Sequence, residues 1–83
     1  MSLAVIWLSE AMTAYRRLRA ADPDGARQIA KAVAVLGTDP CPTGSSALGG
    51  TAFRRLYFDR YRVLYEATDT AVRVMHVGRV IGR

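Results

Sequence analysis

The chain has 83 residues, of which twelve are Lys or Arg and seven are Asp or Glu, so its formal net charge is +5. This length predicts a single small domain over residues 1–83, with no room for a second core. Cys41 is the one cysteine, which excludes an intramolecular disulfide and argues against a structural Cys/His metal site. The longest apolar run is far shorter than the roughly 20 residues of a membrane helix, and the N-terminus lacks the basic region of a signal peptide. We therefore expect a cytoplasmic protein with no membrane partner.

The positive charge is concentrated in the C-terminal part of the chain. Residues 53–83 carry seven basic and three acidic side chains, whereas residues 1–52 carry five and four. All the basic residues except Lys31 are arginine, whose planar guanidinium forms bidentate contacts with phosphate. A GC-rich genome would also favour arginine, but it would not explain this uneven placement. The distribution favours a localised anion-binding surface.

The N-terminal part predicts a strand followed by a helix. Residues 3–8 (LAVIWL) form a continuous apolar run that is too short for a helix and is typical of a buried strand. Ser9 is a predicted N-cap. Residues 10–21 place apolar side chains at helical spacing, and the three arginines near the C-terminal end complement the helix dipole. We interpret these arginines as a solvent-exposed helix face.

A second helix is predicted over residues 23–36. Asp22 is its expected N-cap, with Pro23 at the first helical position, and Gly37 is its expected C-cap. The two helices should form an αα-hairpin whose apolar faces pack on a sheet. Residues 37–50 then read as one long loop, in which Cys41 is interpreted as an inert thiol.

From Thr51 onward the apolar pattern changes to a period of two. Strands are predicted over residues 51–58, 61–67 and 71–77, with tight turns between them. The order β-α-α-β-β-β predicts an α+β domain, in which an antiparallel sheet with an N-terminal strand carries the helical hairpin on one face.

Alternation along these strands predicts which side chains share a face. In the first, one face carries Arg54, Leu56 and Phe58 and the other carries Phe53, Arg55 and Tyr57. In the last, strict alternation places His76 with Val72 and Val74. Arg55 and Arg62 lie on adjacent strands, where two arginines repel each other unless an anion bridges them. Tyr61 and Tyr65 are expected in the core with their hydroxyls at its rim.

The sequence lacks most known catalytic constellations. It has one histidine, no Ser/His/Asp or Cys/His arrangement, no Gly-rich phosphate loop and no carboxylate pair at metal-binding spacing. What remains is a set of arginines with His76 and tyrosines, and this set is suited to one reaction without a metal or other cofactor. RNA carries its own nucleophile, the 2′-hydroxyl, so the protein need only orient the attack, stabilise charge on the phosphate and move two protons.

At these residues the sequence resembles the RelE/ParE superfamily of bacterial type II toxins. The resemblance is carried by three segments: Arg55-Leu56-Tyr57, Tyr61-Arg62-Val63-Leu64-Tyr65-Glu66, and Met75-His76-Val77-Gly78-Arg79. The element order and the Pro/Gly loop before the strands also match. RelE-like members cleave mRNA in the ribosomal A site, and a cognate antitoxin neutralises them.

The resemblance implies roles for individual residues and partners. Arg55, Arg62, His76 and Arg79 are the expected catalytic residues. Arg54, Tyr57, Arg60 and Arg83 are expected to bind RNA. The expected partners are a RelB-like antitoxin, the ribosome and mRNA, with DNA bound only through the antitoxin; no metal or cofactor is expected.

The sequence departs from the family pattern at several positions. Tyr57 stands where relatives usually have a second arginine, and Asp59 stands where they usually have glycine. Relatives also continue to a terminal Tyr-Arg with a catalytic tyrosine, which this sequence does not show, so Tyr57, His76 or Arg83 would have to substitute. Two alternatives therefore stay open: a ParE-like DNA gyrase inhibitor, and a catalytically weakened toxin that acts only as an antitoxin-binding module.

Overall fold

A computed structural model describes residues 2–80 as two helices and five strands. In chain order the elements are β1 (Ala4–Trp7), α1 (Ser9–Ala21), α2 (Pro23–Leu36), β2 (Ser45–Ala47), β3 (Phe53–Phe58), β4 (Tyr61–Ala67) and β5 (Ala71–Arg79). The predicted strands and helices are all present. The structure adds β2, a three-residue strand inside the predicted loop, which has too few apolar residues to show a strand pattern.

The five strands form one sheet in the order β1-β5-β4-β3-β2. All neighbouring pairs are antiparallel except β1 and β5, which are parallel. The α+β class is confirmed, and the parallel edge pair makes the sheet mixed rather than wholly antiparallel. A parallel pair requires a long crossover, and the segment from α1 to β4 provides it.

The helix α1 begins without the predicted serine cap. Leu8 is the N-cap residue and Ser9 is already helical, with no side-chain cap hydrogen bond. The Leu8 amide donates to the carbonyl of Val74 at 3.0 Å, so pairing with β5 extends to the residue before the helix. The strand therefore leads directly into α1. Neither helix in residues 2–80 is both long and apolar enough to cross a membrane.

The turn between the helices is joined to the sheet by a buried tyrosine. Asp22 caps α2 as predicted, accepting a hydrogen bond at its Oδ1 from the Gly25 amide at 3.0 Å. Its other oxygen accepts a hydrogen bond from the hydroxyl of Tyr61, on β4, at 2.6 Å. One carboxylate thus connects the helical hairpin to the middle of the sheet.

The core lies between the helical hairpin and one face of the sheet. The helices contribute Ala11, Leu18, Ala26, Ile29, Val33 and Leu36, and the sheet contributes Leu56, Tyr61, Val63, Tyr65, Val72, Val74 and Val77. Tyr65 is fully buried, and its hydroxyl donates to the carbonyl of Pro40 at 2.6 Å, which ties the loop before β2 to the core. The expectation of core packing for Tyr61 and Tyr65 is confirmed.

The Asp22–Tyr61 contact makes stability depend on pH at both extremes. The Tyr61 hydroxyl, and then the Gly25 amide, lower the pKa of Asp22 below 3.8, while hydrogen bonding to Asp22 raises the pKa of Tyr61 above 10.0. The Asp22 contribution is complete above pH 3.8 and is lost as pH falls through the lower folded-state pKa. The Tyr61 contribution is complete below pH 10.0 and is lost as pH rises through the higher folded-state pKa.

Replacing Tyr61 by phenylalanine should therefore flatten both limbs of the stability profile. The alkaline limb should lose the Tyr61 contribution entirely. The acid limb should become shallower because the Tyr61 hydrogen bond, the largest cause of the lowered Asp22 pKa, is lost, while the Gly25 amide and the charges of Arg79 and Arg60 remain. Urea unfolding midpoints of both proteins, measured from pH 2 to 11, check this. Parallel profiles for the two proteins would show that the contact does not contribute to folding.

Candidate functional site

The face of the sheet opposite the helices, here called the outer face, carries the charged side chains of the central strands. Arg55 and Tyr57 on β3 and Arg62 on β4 all point to this face, because their chain neighbours Leu56, Tyr61 and Val63 are buried under the helices. Tyr57 keeps 43% of its surface exposed. Both helices pack on the other face, so among the described residues the outer face is open over β3 and β4, and α1 reaches it only beside His76 of β5.

A β-bulge brings His76 to the outer face. Leu64 pairs with His76 but the next residue, Tyr65, pairs with Val74, so Met75 is an extra residue in β5. The bulge shifts the alternation by one, which buries Val77 and exposes His76. The prediction that His76 shares a face with Val72 and Val74 is therefore wrong. A single inserted residue reverses the facing of everything after it in a strand.

The strand register places the outer-face residues in two rows across β3, β4 and β5. The first row is Tyr57, Arg62 and Gly78, and the second is Arg55, Leu64 and His76. Arg55 and Arg62 are thus diagonal neighbours, at a Cα separation of about 7–8 Å. This spacing lets two guanidinium groups reach one anion between them.

These rows line an open cavity of about 390 Å³. Its lining residues are Leu48, Arg55, Tyr57, Arg62, Leu64 and His76. Two arginines and no carboxylate line this cavity. Glu66, the acidic residue of β4 on the same face, lies 3.6 Å from Arg73 of β5 and forms an ion pair with it. The cavity therefore presents uncompensated positive charge, which attracts an anion.

Two contacts position the polar groups of the cavity. Arg55 Nη1 donates a hydrogen bond to the Tyr57 hydroxyl oxygen at 3.2 Å. A Cβ atom built on Gly78 would lie 3.6 Å from His76 Nε2, so the imidazole leans over Gly78. Because residue 78 has no side chain, the space between His76 and Arg62 stays open.

Arg79 and Arg54 lie away from this cavity. Arg79 pairs with the buried Tyr61 and so faces the helical side, where its charge contributes to the lowered pKa of Asp22. Arg54 is half-buried on that side, and its Nη2 donates to Ser45 Oγ at 2.9 Å. The Nε of Arg54 is buried without a hydrogen-bond partner among residues 2–80. The structure thus does not bring either side chain together with Arg55 and Arg62.

Arg60 lies in the turn between β3 and β4, beside a separate cavity of about 470 Å³ that it shares with Tyr57, Asp59 and Val80. Asp59 has a φ of 52°, in the left-handed region that aspartate tolerates better than most residues. Glycine adopts this backbone conformation without steric strain, which explains why members of the RelE/ParE superfamily usually have glycine at the position of Asp59. Arg83, also expected to bind RNA, lies outside the described residues.

Sequence reasoning missed two parts of the site. Leu48 forms a wall of the cavity, since its amide donates to the carbonyl of Phe53 at 2.9 Å and holds the loop beside β3. A second cavity of about 250 Å³ lies on the other side of His76, against Glu10, Thr13 and Arg17 of α1. The isolated apolar residue in a polar loop was a signal for Leu48. No sequence signal places α1 beside His76.

Cys41 is an exposed free cysteine in the loop before β2. Within residues 2–80, no group of three or more His, Cys, Asp or Glu side chains is placed to hold a metal ion. The polar chemistry of the cavity is that of guanidinium, phenol and imidazole groups.

Comparison with solved structures shows which fold this is. A chain of the RelBE2 toxin–antitoxin complex from Mycobacterium tuberculosis superposes with a TM-score of 0.81 at 18% identity, covering 95% of this chain and 99% of the other. A chain of the archaeal RelE–RelB complex from Pyrococcus horikoshii OT3 has a TM-score of 0.79 at 20% identity and covers 100% of both chains. This chain has the RelE-like toxin fold.

A toxin whose structure was solved without its antitoxin is also similar to this chain. An E. coli RelE mutant in the free state has a TM-score of 0.77 at 19% identity, over 98% of this chain and 86% of the other. No family model matches the sequence, and a comparison with curated proteins gives no match. The comparison of structures thus confirms the RelE-like fold that the sequence motifs predicted, at identities of 18–20%.

Proposed function

We propose that this chain is the toxin of a type II toxin–antitoxin system, formed by one RelE-like domain, and that it cleaves mRNA on the ribosome. The observation that carries the proposal is the open cavity that Arg55, Arg62, Tyr57 and His76 line together, with two positive charges that can bind one phosphate. The products expected from attack of the 2′-hydroxyl on the adjacent phosphate are a 2′,3′-cyclic phosphate and a 5′-hydroxyl. The RelE-like fold supports the same proposal.

The arginines supply the charge stabilisation that this reaction requires. Negative charge grows on the phosphate oxygens in the transition state, and guanidinium groups already in place stabilise it without reorganisation. Arg62 stands between Tyr57 and Gly78 in its row, and Arg55 approaches from the diagonal position. A phosphate over Arg62 would therefore contact both arginines and lie between the phenol and the imidazole.

The ribosome would hold the RNA in a fixed position, which this small site cannot do by itself. The cavity is open and shallow, and it holds too few groups to fix a flexible RNA by itself. An mRNA already positioned in the ribosomal A site has lost much of that freedom, and holding reactants in an aligned geometry lowers the barrier by several kcal/mol. This is the physical reason for expecting cleavage to depend on translation, and a protein that acts on ribosomes is expected in the cytoplasm.

The proposed partner is a RelB-like antitoxin with an acidic segment. Two of the solved structures that share the fold are complexes of a toxin with its antitoxin. An acidic segment would complement the net charge of +5 and would cover exposed apolar side chains such as Ile6, which keeps 45% of its surface exposed. DNA would be bound only through the antitoxin.

Controlled expression tests the proposal. Induction of the chain alone should arrest growth, and co-expression of its antitoxin should restore it. Purified protein added to translating ribosomes should produce new mRNA 5′ ends in a primer-extension assay, and should leave free mRNA intact. Inhibition of DNA supercoiling with intact mRNA would instead identify a gyrase inhibitor. A folded protein that neither arrests growth nor cleaves mRNA would identify an antitoxin-binding module without activity.

A further inference from the structure

The cavity contains two groups that can exchange protons, and its geometry gives them different tasks. We infer that His76 takes the proton from the attacking 2′-hydroxyl and that Tyr57 gives a proton to the leaving 5′-oxygen. The inference rests on the proposed cleavage of RNA, and it names the general base and the general acid of that reaction.

Tyr57 is arranged as a hydrogen-bond donor to a ligand. Arg55 Nη1 donates to its hydroxyl oxygen at 3.2 Å, and this bond occupies a lone pair of the oxygen. The phenolic proton is then left to point at another acceptor. The exposed fraction of the side chain, 43%, keeps the hydroxyl accessible from the cavity. Since a guanidinium donates to this oxygen, Tyr57 is suited to giving a proton rather than to taking one.

His76 is arranged as an acceptor on the opposite side. Its Nε2 lies over Gly78, 3.6 Å from the position of a Cβ at that residue. Within residues 2–80, no hydrogen bond to another residue fixes His76 Nε2 as a donor. A neutral imidazole has one ring nitrogen with a free lone pair, and here that nitrogen can face the space above Arg62.

The order of residues across the strands separates the two groups. Tyr57, Arg62 and Gly78 form one row, so the phenol stands on the β3 side of Arg62 and the imidazole leans in from the β5 side. With neighbouring strands about 4.8 Å apart, the two flanking strands are about 10 Å apart. A phosphate bound by Arg62 fits between them, with the attacking oxygen towards His76 and the leaving oxygen towards Tyr57. An in-line displacement requires this opposite placement.

The proposed step balances without any added reactant. The 2′-oxygen gives its proton to His76 Nε2 and forms a bond to phosphorus. The bond from phosphorus to the 5′-oxygen breaks, its electron pair stays on that oxygen, and the oxygen takes the proton of the Tyr57 hydroxyl. The RNA is converted to a 2′,3′-cyclic phosphate and a 5′-hydroxyl. The protein is left as imidazolium and phenolate, which return to their starting forms by exchanging protons with water.

Several charged and titratable groups surround His76, and they also affect how the rate of cleavage depends on pH. They are Glu10 and Arg17 from α1, Arg62 from β4, and Arg55 and Tyr57 from β3. A change in the pH profile is therefore assigned to His76 only by comparing a variant of His76 with the unsubstituted protein.

An mRNA with sulfur in place of the 5′-oxygen at the cleaved linkage tests the two roles separately, because a thiolate leaves without needing a proton. With ordinary mRNA on ribosomes, Tyr57→Phe should slow cleavage by about 10²–10⁴-fold. With the sulfur-containing mRNA, Tyr57→Phe should cleave almost as fast as the unsubstituted protein. His76→Gln should be slow with both RNAs and should lose the decline in rate on the acidic side of the pH profile.

Each other outcome overturns a stated part of the proposal. Full activity of Tyr57→Phe on ordinary mRNA, or equal slowing on both RNAs, would exclude Tyr57 as the acid. Rescue of His76→Gln by sulfur would reverse the two roles. If the unsubstituted protein cleaves neither RNA, the proposed function itself fails. Thermal unfolding of both variants checks that they fold, which is expected because both side chains are exposed.

Discussion

Replacing Arg62 by alanine should lower ribosome-dependent mRNA cleavage by about 10²–10³-fold, the usual effect of removing one group that stabilises transition-state charge. Arg62 lies between Tyr57 and Gly78 in the register and faces the cavity, while its exposed side chain contributes little to the core. Stability should therefore change by less than about 0.5 kcal/mol. Primer extension on translating ribosomes measures the first quantity, and thermal unfolding measures the second.

Arg73 offers a matched control for Arg62. It is an exposed arginine on the outer face of β5, it lies outside the cavity, and it pairs with Glu66 at 3.6 Å. Arg73→Ala removes the same charge and should leave cleavage unchanged, because Arg73 lies outside the cavity. Its ion pair with the partly buried Glu66 is near the surface, where such pairs contribute about 0–1 kcal/mol to stability. Arg62→Lys keeps the charge but loses the planar guanidinium, so its cleavage rate should lie between the rates of Arg62→Ala and Arg73→Ala. Equal activity of Arg62→Ala and Arg73→Ala would show that the cavity is not the site of cleavage.

Replacing Gly25 by alanine should destabilise the protein, although the same change usually stabilises a helix by about 1 kcal/mol. The added Cβ would collide with the Tyr61 hydroxyl and with Asp22 Oδ2, and it would lie 2.6 Å from Tyr61 Cε1. Tyr61 is buried, so its ring has no free space to move into. Overpacking of this kind costs about 1–3 kcal/mol, and each kcal/mol lowers the Tm of a domain of this size by about 4–8 °C.

Gly50 provides the comparison for Gly25. A Cβ at Gly50 meets no heavy atom within 4 Å, so Gly50→Ala should change stability by less than about 0.5 kcal/mol. Circular dichroism during heating and in urea measures both variants. A rise in Tm for Gly25→Ala would mean that α2 does not pack against Tyr61 as the structure describes.

Much of the fold could be predicted from local sequence signals. Asp22, Pro23 and Gly37 mark the ends of α2 because each has a backbone or side-chain property that a helix end requires. The alternation in β3 placed Leu56 and Arg55 on opposite faces, and the tyrosines of β4 were expected in the core; the burial of these strands confirms both predictions. Ser9 failed as a cap because Leu8 continues the pairing with β5 up to the helix.

The position of His76 shows a feature that local sequence signals did not predict, namely the face of β5 on which its side chain lies. An alternating pattern carries no mark of the extra residue Met75, because Met75 and Val77 are both apolar and can lie on either face of the strand. The bulge is determined by how β5 meets β4 and the helices together. It moves His76 from the predicted core face to the cavity, and it allows Val77 to fill the core instead.

The sequence by itself determined the order of every described element except β2, the α+β class, the placement of charge in the C-terminal strands and the arginines of the outer face. These follow from helix caps, from periods of 3.6 and 2, and from composition, all of which act over a few neighbouring residues. Only the tertiary structure decided that β1 pairs in parallel with β5, that Arg79 faces Tyr61 and that His76 faces the cavity. These depend on strand register and on a bulge, which are set by contacts between residues far apart in the chain.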